Sequence, residues 1–138
     1  MKKITVFSDG GARGNPGPAA IGVVITDGEG NILDEISEKI GDSTNNIAEY
    51  TAVLRGLEVL RLRFGEETKE LEIEWKLDSE LVERQLAGAY KIKNPGLREI
   101  YLQIQDLRAN FPQLEFVHVR REFNKEADRL VNEALDKE

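Results

Sequence analysis

Ser8-Asp9-Gly10-Gly11-Ala12-Arg13-Gly14-Asn15-Pro16-Gly17 is the stretch on which the reading of this chain turns. A short apolar strand, expected from about Lys3 to Ser8, runs into a carboxylate and then into a segment with few side chains and many free N–H groups. Glycine lets a backbone approach a ligand closely and take positive φ. Successive N–H groups in such a loop can cradle an anion. Asp9 beside that cradle would repel the anion unless a cation lay between them. The segment therefore points to a metal ion bridging Asp9 and a phosphate. Read alone, it is equally a tight turn with an incidental acid, since Gly, Asn, Asp and Pro are the usual turn residues.

The rest of the chain limits the choice. Its 138 residues suit one domain, expected over residues 1–138, with a single core. Apolar residues make up 40% and charged residues 33%, as in an ordinary soluble globule. There is no cysteine, which excludes a disulfide framework and a thiolate metal site. The run from Met1 to Phe7 is too short for a signal peptide. No stretch approaches the ~20 apolar residues of a membrane span. A cytoplasmic monomer is expected. The net charge of −7 argues against a simple nucleic-acid binder, which is normally basic. It does not argue against a metal-dependent phosphodiesterase, because two divalent cations would offset four of those seven charges at the site itself.

Outward from Asp9, Ala20–Thr26 reads as a second strand and Ile32–Ile40 as a third. Asp27-Gly28-Glu29-Gly30-Asn31 between them is a hairpin signal. A helix is expected from Thr44 or Asn45, with Ala48, Ala52, Leu54, Leu57, Val59, Leu60 and Leu62 at helical spacing and Gly65 at its end. Leu71–Leu77 alternates as a fourth strand, and Asp78-Ser79 reads as an N-cap for a short helix. Pro95 opens another helix, Leu114–Val119 is a fifth strand, and a last helix carries Ala127, Leu130, Val131, Ala134 and Leu135. The order βββαβααβα predicts an α/β fold. Three strands form an antiparallel meander, two more are added in parallel through helical crossovers, and helices flank the mixed five-stranded sheet.

Three further acids fall at junctions of this scheme. Glu49 shares a helix face with Asn45 and Asn46. Asp78 ends the fourth strand. Asp128 sits among core residues of the last helix, with Asn124 and Asn132 on its face. Each has a plain alternative: an acid favoured by a helix N-terminus, an N-cap, or an ion pair with Lys125 or Arg129. Together they are harder to dismiss. Asp9 and Asp78 end parallel neighbours, the edge where ligands bind in open α/β sheets. Converging carboxylates need hard cations such as Mg²⁺ or Mn²⁺.

Asp9–Gly17, Thr44–Tyr50, Leu77–Ser79 and Asn124–Leu130 resemble, in order and spacing, the four signature segments of type 1 ribonuclease H. The resemblance covers essentially the whole chain. It implies the ribonuclease H-like fold and an endonuclease that cuts the RNA strand of RNA–DNA hybrids. It implies that Asp9, Glu49, Asp78 and Asp128 hold two Mg²⁺ or Mn²⁺ ions, and that the products end in 5′-phosphate and 3′-hydroxyl. Asp9 would bridge both ions, Asp128 would serve the ion that activates water, and Glu49 and Asp78 the ion at the leaving oxygen. The backbone of Gly11, Ala12 and Gly14, with Asn15, Asn45 and Asn46, would read the 2′-hydroxyl. Thr44 and Asn46 match positions that hold a DNA-strand phosphate, and Arg13, Lys91 and Lys93 are candidate backbone contacts.

The chain also departs from the family pattern. Many members carry a mobile histidine before the last acid that assists product release. His118, the single histidine, falls in the fifth strand instead, so Arg120 or Arg121 is the candidate substitute, as in the similar loop of archaeal-type members. Glu80 stands where several relatives have a hybrid-contacting glutamine, and a carboxylate there cannot donate a hydrogen bond. Ala87–Pro95 leaves no room for the basic protrusion of some relatives, so weak, salt-sensitive hybrid binding is expected. Two alternatives remain: a nuclease of the same fold acting on DNA, and a domain that binds nucleic acid without catalysis.

Overall fold

A computed structural model describes residues 2–88 and 91–137. Strands β1 (Lys2–Ala12), β2 (Gly17–Asp27) and β3 (Ile32–Ser43) are followed by helix α1 (Asn45–Phe64) and a 3₁₀ turn, Gly65–Glu70. Then come β4 (Leu71–Leu77), α2 (Glu80–Leu86), α3 (Pro95–Arg108), β5 (Leu114–His118), a 3₁₀ turn over Arg121–Phe123, and α4 (Lys125–Asp136). The sheet order is β3-β2-β1-β4-β5. β1 pairs antiparallel with β2 and parallel with β4, β2 pairs antiparallel with β3, and β4 pairs parallel with β5. This is the mixed sheet expected from the element order.

The first three strands run further than expected. β1 does not end at Ser8. Gly10, Gly11 and Ala12 stay in the sheet, opposite Ile21, Ala20 and Ala19 of β2. The supposed phosphate-cradling loop is therefore strand, and the turn shrinks to Arg13–Pro16. The reason lies in the partners. The ladder to β4 stops at Ser8↔Leu77, while β2 continues alongside for four more residues of β1. Asp9 thus lies just past the end of the parallel ladder but inside the antiparallel one.

The local signals account for most of the other boundaries. Thr44 caps α1, its Oγ1 accepting from the Ile47 N–H at 3.2 Å. Asn94 caps α3 through the N–H groups of Gly96 and Leu97, ahead of Pro95. Gly65 takes φ +54° and donates its N–H to the Arg61 carbonyl at the end of α1. In the β2–β3 hairpin, the Asp27 carboxylate accepts from the Asn31 side-chain amide and from the Asn31 and Glu29 N–H groups, which holds its pKa below the ordinary value. The core lies between the sheet and the α1–α3 layer, around Trp75, Tyr50, Leu57 and Leu60. Leu62, counted in the apolar stripe of α1, is 85% exposed; it points away from the sheet.

Two glycines set how closely the helices approach. A Cβ on Gly10 would lie 2.2 Å from the Ala48 carbonyl carbon of α1. A Cβ on Gly22, the cross-strand partner of Asp9, would lie 2.2 Å from the Ala127 carbonyl oxygen of α4. Backbone, unlike a flexible side chain, cannot move aside for a methyl group. Gly10→Ala is expected to lower stability by about 3 kcal/mol, at the upper end for overpacking. Gly11→Ala, whose Cβ would meet only Val131 Cγ1 at 3.7 Å, should stay within ~1 kcal/mol of the parent. Urea denaturation midpoints compare the two.

Candidate active site

Four acids reach one cavity of about 440 Å³ from four separate elements. Asp9 comes from β1 and is buried. Glu49 stands in the second turn of α1, directly after the alanine that meets Gly10. Asp128 stands in the first turn of α4, directly after the alanine that meets Gly22. Asp78 follows the last residue of β4. The Asp78-Ser79 cap signal resolves to the serine. Ser79 Oγ, not Asp78, accepts the Val82 N–H that starts α2, at 3.2 Å. Asp78 is left free for the cavity.

Carboxylate oxygens of Asp9, Glu49 and Asp78 lie within 4.8 Å of one another. Asp128 lines the same cavity but stands outside that trio. Burial, and then the charges of Asp78 and Asp128, push the Asp9 pKa up to about 7. Burial raises Glu49 well above its ordinary value, and Asp9 and Asp78 add to the effect. Arg121 lines the cavity and its charge draws Glu49 back down.

The remaining candidates divide by position. Gly11, Ala12, Arg13, Asn45 and Asn46 line the cavity beside the acids. The Ala12 N–H donates to Asn45 Oδ1 at 2.8 Å, and the Asn45 N–H donates to Asn15 Oδ1 at 3.0 Å. Asn15 therefore ties the β1–β2 turn to the start of α1. It does not line the cavity, nor does Gly14, which supplies the turn with φ +91°. The Arg13 guanidinium pairs with Asp136 at the end of α4, at 2.6 Å. Thr44 is the α1 cap, with its hydroxyl oxygen accepting the Ile47 N–H. Glu80 is exposed, pairs with Arg84 at 2.9 Å, and lies outside the cavity lining. Arg120 has an 82% exposed side chain, 3.9 Å from Glu122. His118 is exposed at the end of β5, level with Leu77. Lys91 and Lys93 line a different cavity, with Arg98 and Tyr101.

Four wall residues are not among the sequence candidates: Gly10, Ser79, Val131 and Leu135. The signal for the last two was present, since they follow Asp128 by three and seven residues on one helix face. Asn132, noted in the sequence as sharing that face, lines the cavity and bonds the Asp128 carbonyl at 3.1 Å.

Comparison with known proteins places this arrangement. The family model described as "Reverse transcriptase-like" matches residues 7–134. Ribonuclease HI of Halobacterium salinarum is 42% identical over 97% of this chain, which spans 65% of that protein's length. The structure of LC11-RNase H1, isolated from compost by a metagenomic approach, shares 53% identity and superposes with a TM-score of 0.93 over 99% of this chain and 97% of that one. LC11-RNase H1 in complex with an RNA/DNA hybrid superposes with a TM-score of 0.91 at 52% identity, covering 96% of each chain.

The crowded acids make stability depend on pH. The folded pKa of Asp9 lies above its ordinary value of 3.8, so the folded state binds the proton more tightly than the unfolded chain. Its stabilising effect is complete below pH 3.8 and is lost as pH rises to about 7. In EDTA, Asp9→Asn should therefore be more stable than the parent at pH 8 by at least ~1 kcal/mol, given 1.36 kcal/mol per pKa unit. Urea melts at pH 5 and pH 8 test this: the parent loses stability between them, and the variant loses less.

Proposed function

This chain belongs to the type 1 ribonuclease H family, and from that premise we propose that it is an endonuclease hydrolysing the RNA strand of RNA–DNA hybrids. One observation carries the reading: three carboxylates from three separate elements are held within 4.8 Å, beside a cavity wall of glycine backbone and asparagine amides. The donor set suits hard divalent cations, which take oxygen ligands. It is unfavourable without them, because burial and mutual repulsion raise the pKa values of Asp9 and Glu49. Two Mg²⁺ or Mn²⁺ ions, when bound, supply an activated water and charge stabilisation at the leaving 3′ oxygen. Asp9 would be shared between them, Asp128 would serve the attacking side, and Glu49 and Asp78 the leaving side. Products would carry 5′-phosphate and 3′-hydroxyl ends.

The chain's own groups select the substrate. Asn45 is fixed through its Oδ1 by the Ala12 N–H, which leaves its Nδ2 donors for a ribose 2′-hydroxyl, the group that distinguishes RNA from DNA. Asn46 and the Gly11–Arg13 backbone extend that surface along the same cavity. Of the two arginines offered as a histidine substitute, Arg121 is the better placed, because it lines the cavity and acts on Glu49.

The test is cleavage of labelled RNA–DNA hybrid, duplex DNA and single-stranded RNA in Mg²⁺, Mn²⁺ or EDTA. Hybrid alone should be cut, only with metal, and Asp9→Asn should abolish it. Cleavage of duplex DNA instead would establish the DNA-nuclease reading, and no cleavage in either metal would remove the enzyme reading. Arg121→Ala should lower kcat severalfold with little change in KM, and Arg120→Ala should behave as the parent. Equal kcat in all three would withdraw the role given to Arg121.

A further inference from the structure

Asn124 occupies the N-cap position of α4, with φ −125° and ψ 27°, yet its side chain makes no capping hydrogen bond. Asparagine at that position ordinarily accepts a backbone N–H of the first helical turn. Here the side chain is turned inward and 1% exposed. Its Nδ2 donates to the Ser8 carbonyl at 2.9 Å and to Asp78 Oδ2 at 3.3 Å. Its Oδ1 is buried with no hydrogen-bond partner among the described residues. An unpartnered buried oxygen is costly, and an apolar residue of similar size would avoid that cost. The amide is kept for its donor end.

The location explains what that donor does. The β1–β4 ladder stops at Ser8↔Leu77, one residue before both Asp9 and Asp78. Beyond it, no strand pairing fixes the two acids relative to one another. Asn124 bridges the gap, holding the carbonyl that precedes Asp9 and the carboxylate of Asp78 with one nitrogen. Its own carbonyl accepts the Asp128 N–H at 3.1 Å, the bond that starts the turn carrying the fourth acid. Ser8 is itself anchored, its Oγ accepting from Trp75 Nε1 at 2.8 Å in the core.

We infer that Asn124 is a positioning residue that orients the Asp78 carboxylate toward a bound divalent cation. This rests on the reading of the acids as a metal site. Partners that hold a ligand from behind typically affect metal affinity by 10–100-fold.

Calorimetric titration of Mn²⁺ into the substrate-free protein tests this without reference to turnover. Asn124→Ala and Asn124→Asp are compared with the parent, each also in an Asp78→Asn background. Asn124→Asp keeps the shape of the side chain but replaces the donor with an acceptor, and it decides the matter if Asn124→Ala fails to fold. The expected result is at least a tenfold loss of Mn²⁺ affinity in either folded variant, shrinking to little or nothing when Asp78 is already Asn. A general loosening of the fold would instead weaken both backgrounds alike. Parent-like affinity in folded Asn124→Asp, or an equal loss in both backgrounds, overturns the assignment. A parent that binds no Mn²⁺ overturns the metal-site reading and this inference with it.

Discussion

The structure depends on two places where a helix touches the sheet with no side chain in between. On one face, Gly10 meets the Ala48 carbonyl of α1; on the other, Gly22 meets the Ala127 carbonyl of α4. Gly10 is next to Asp9 in β1, and Gly22 is opposite Asp9 in β2. Successive strand residues face opposite sides of a sheet, so the two contacts clamp the same level of the sheet from both sides. Each helix then presents an acid one residue after its contact, Glu49 after Ala48 and Asp128 after Ala127. Convergence of these acids on Asp9 follows from backbone packing, not from any attraction between the carboxylates.

That packing works against electrostatics. Burial and like charge lift Asp9 to about 7 and Glu49 well above its ordinary range. The rest of the molecule holds the cluster in place by other means. A core of Trp75, Tyr50 and aliphatic residues anchors α1 to the sheet, Thr44 and Ser79 fix the starts of α1 and α2, and Asn45 and Asn15 join the β1–β2 turn to α1. Hydrogen bonds to neutral groups tolerate the nearby negative charge, which ion pairs inside the cavity would cancel.

The element order and the sheet topology were legible in the sequence, because each rests on a local signal: strand alternation, helical spacing and caps. That four acids reach one cavity was legible only from their joint placement on that scheme, since each alone had a plain alternative. What misled was the meaning of the glycines. Gly10 and Gly11 read as a loop because glycine is usual in turns. Both lie in the strand instead, and the use of Gly10, which lets α1 close in, depends on where that helix lies and leaves no local trace. At the start of α2 the sequence offered Asp78-Ser79 as a pair without saying which of the two caps. Asp and Ser are both good N-caps, and only the register of α2 decides that Ser79 takes the role. Arg120 and Arg121 are adjacent and alike in sequence; the turn over Arg121–Phe123 directs one into the cavity and the other to solvent.

That Ser79, and not Asp78, caps α2 has a wider consequence. α1 is likewise started by Thr44, not by the acid it carries. Asp78 and Glu49 are thus relieved of any part in starting their helices, and in the metal-free chain burial makes the charge of Glu49 count against folding. Starting a helix and serving the cavity are therefore tasks of different residues here. Exchanging Asp9 or Glu49 for its neutral amide removes a charge that burial disfavours. Folding alone gives no reason to keep those two charges.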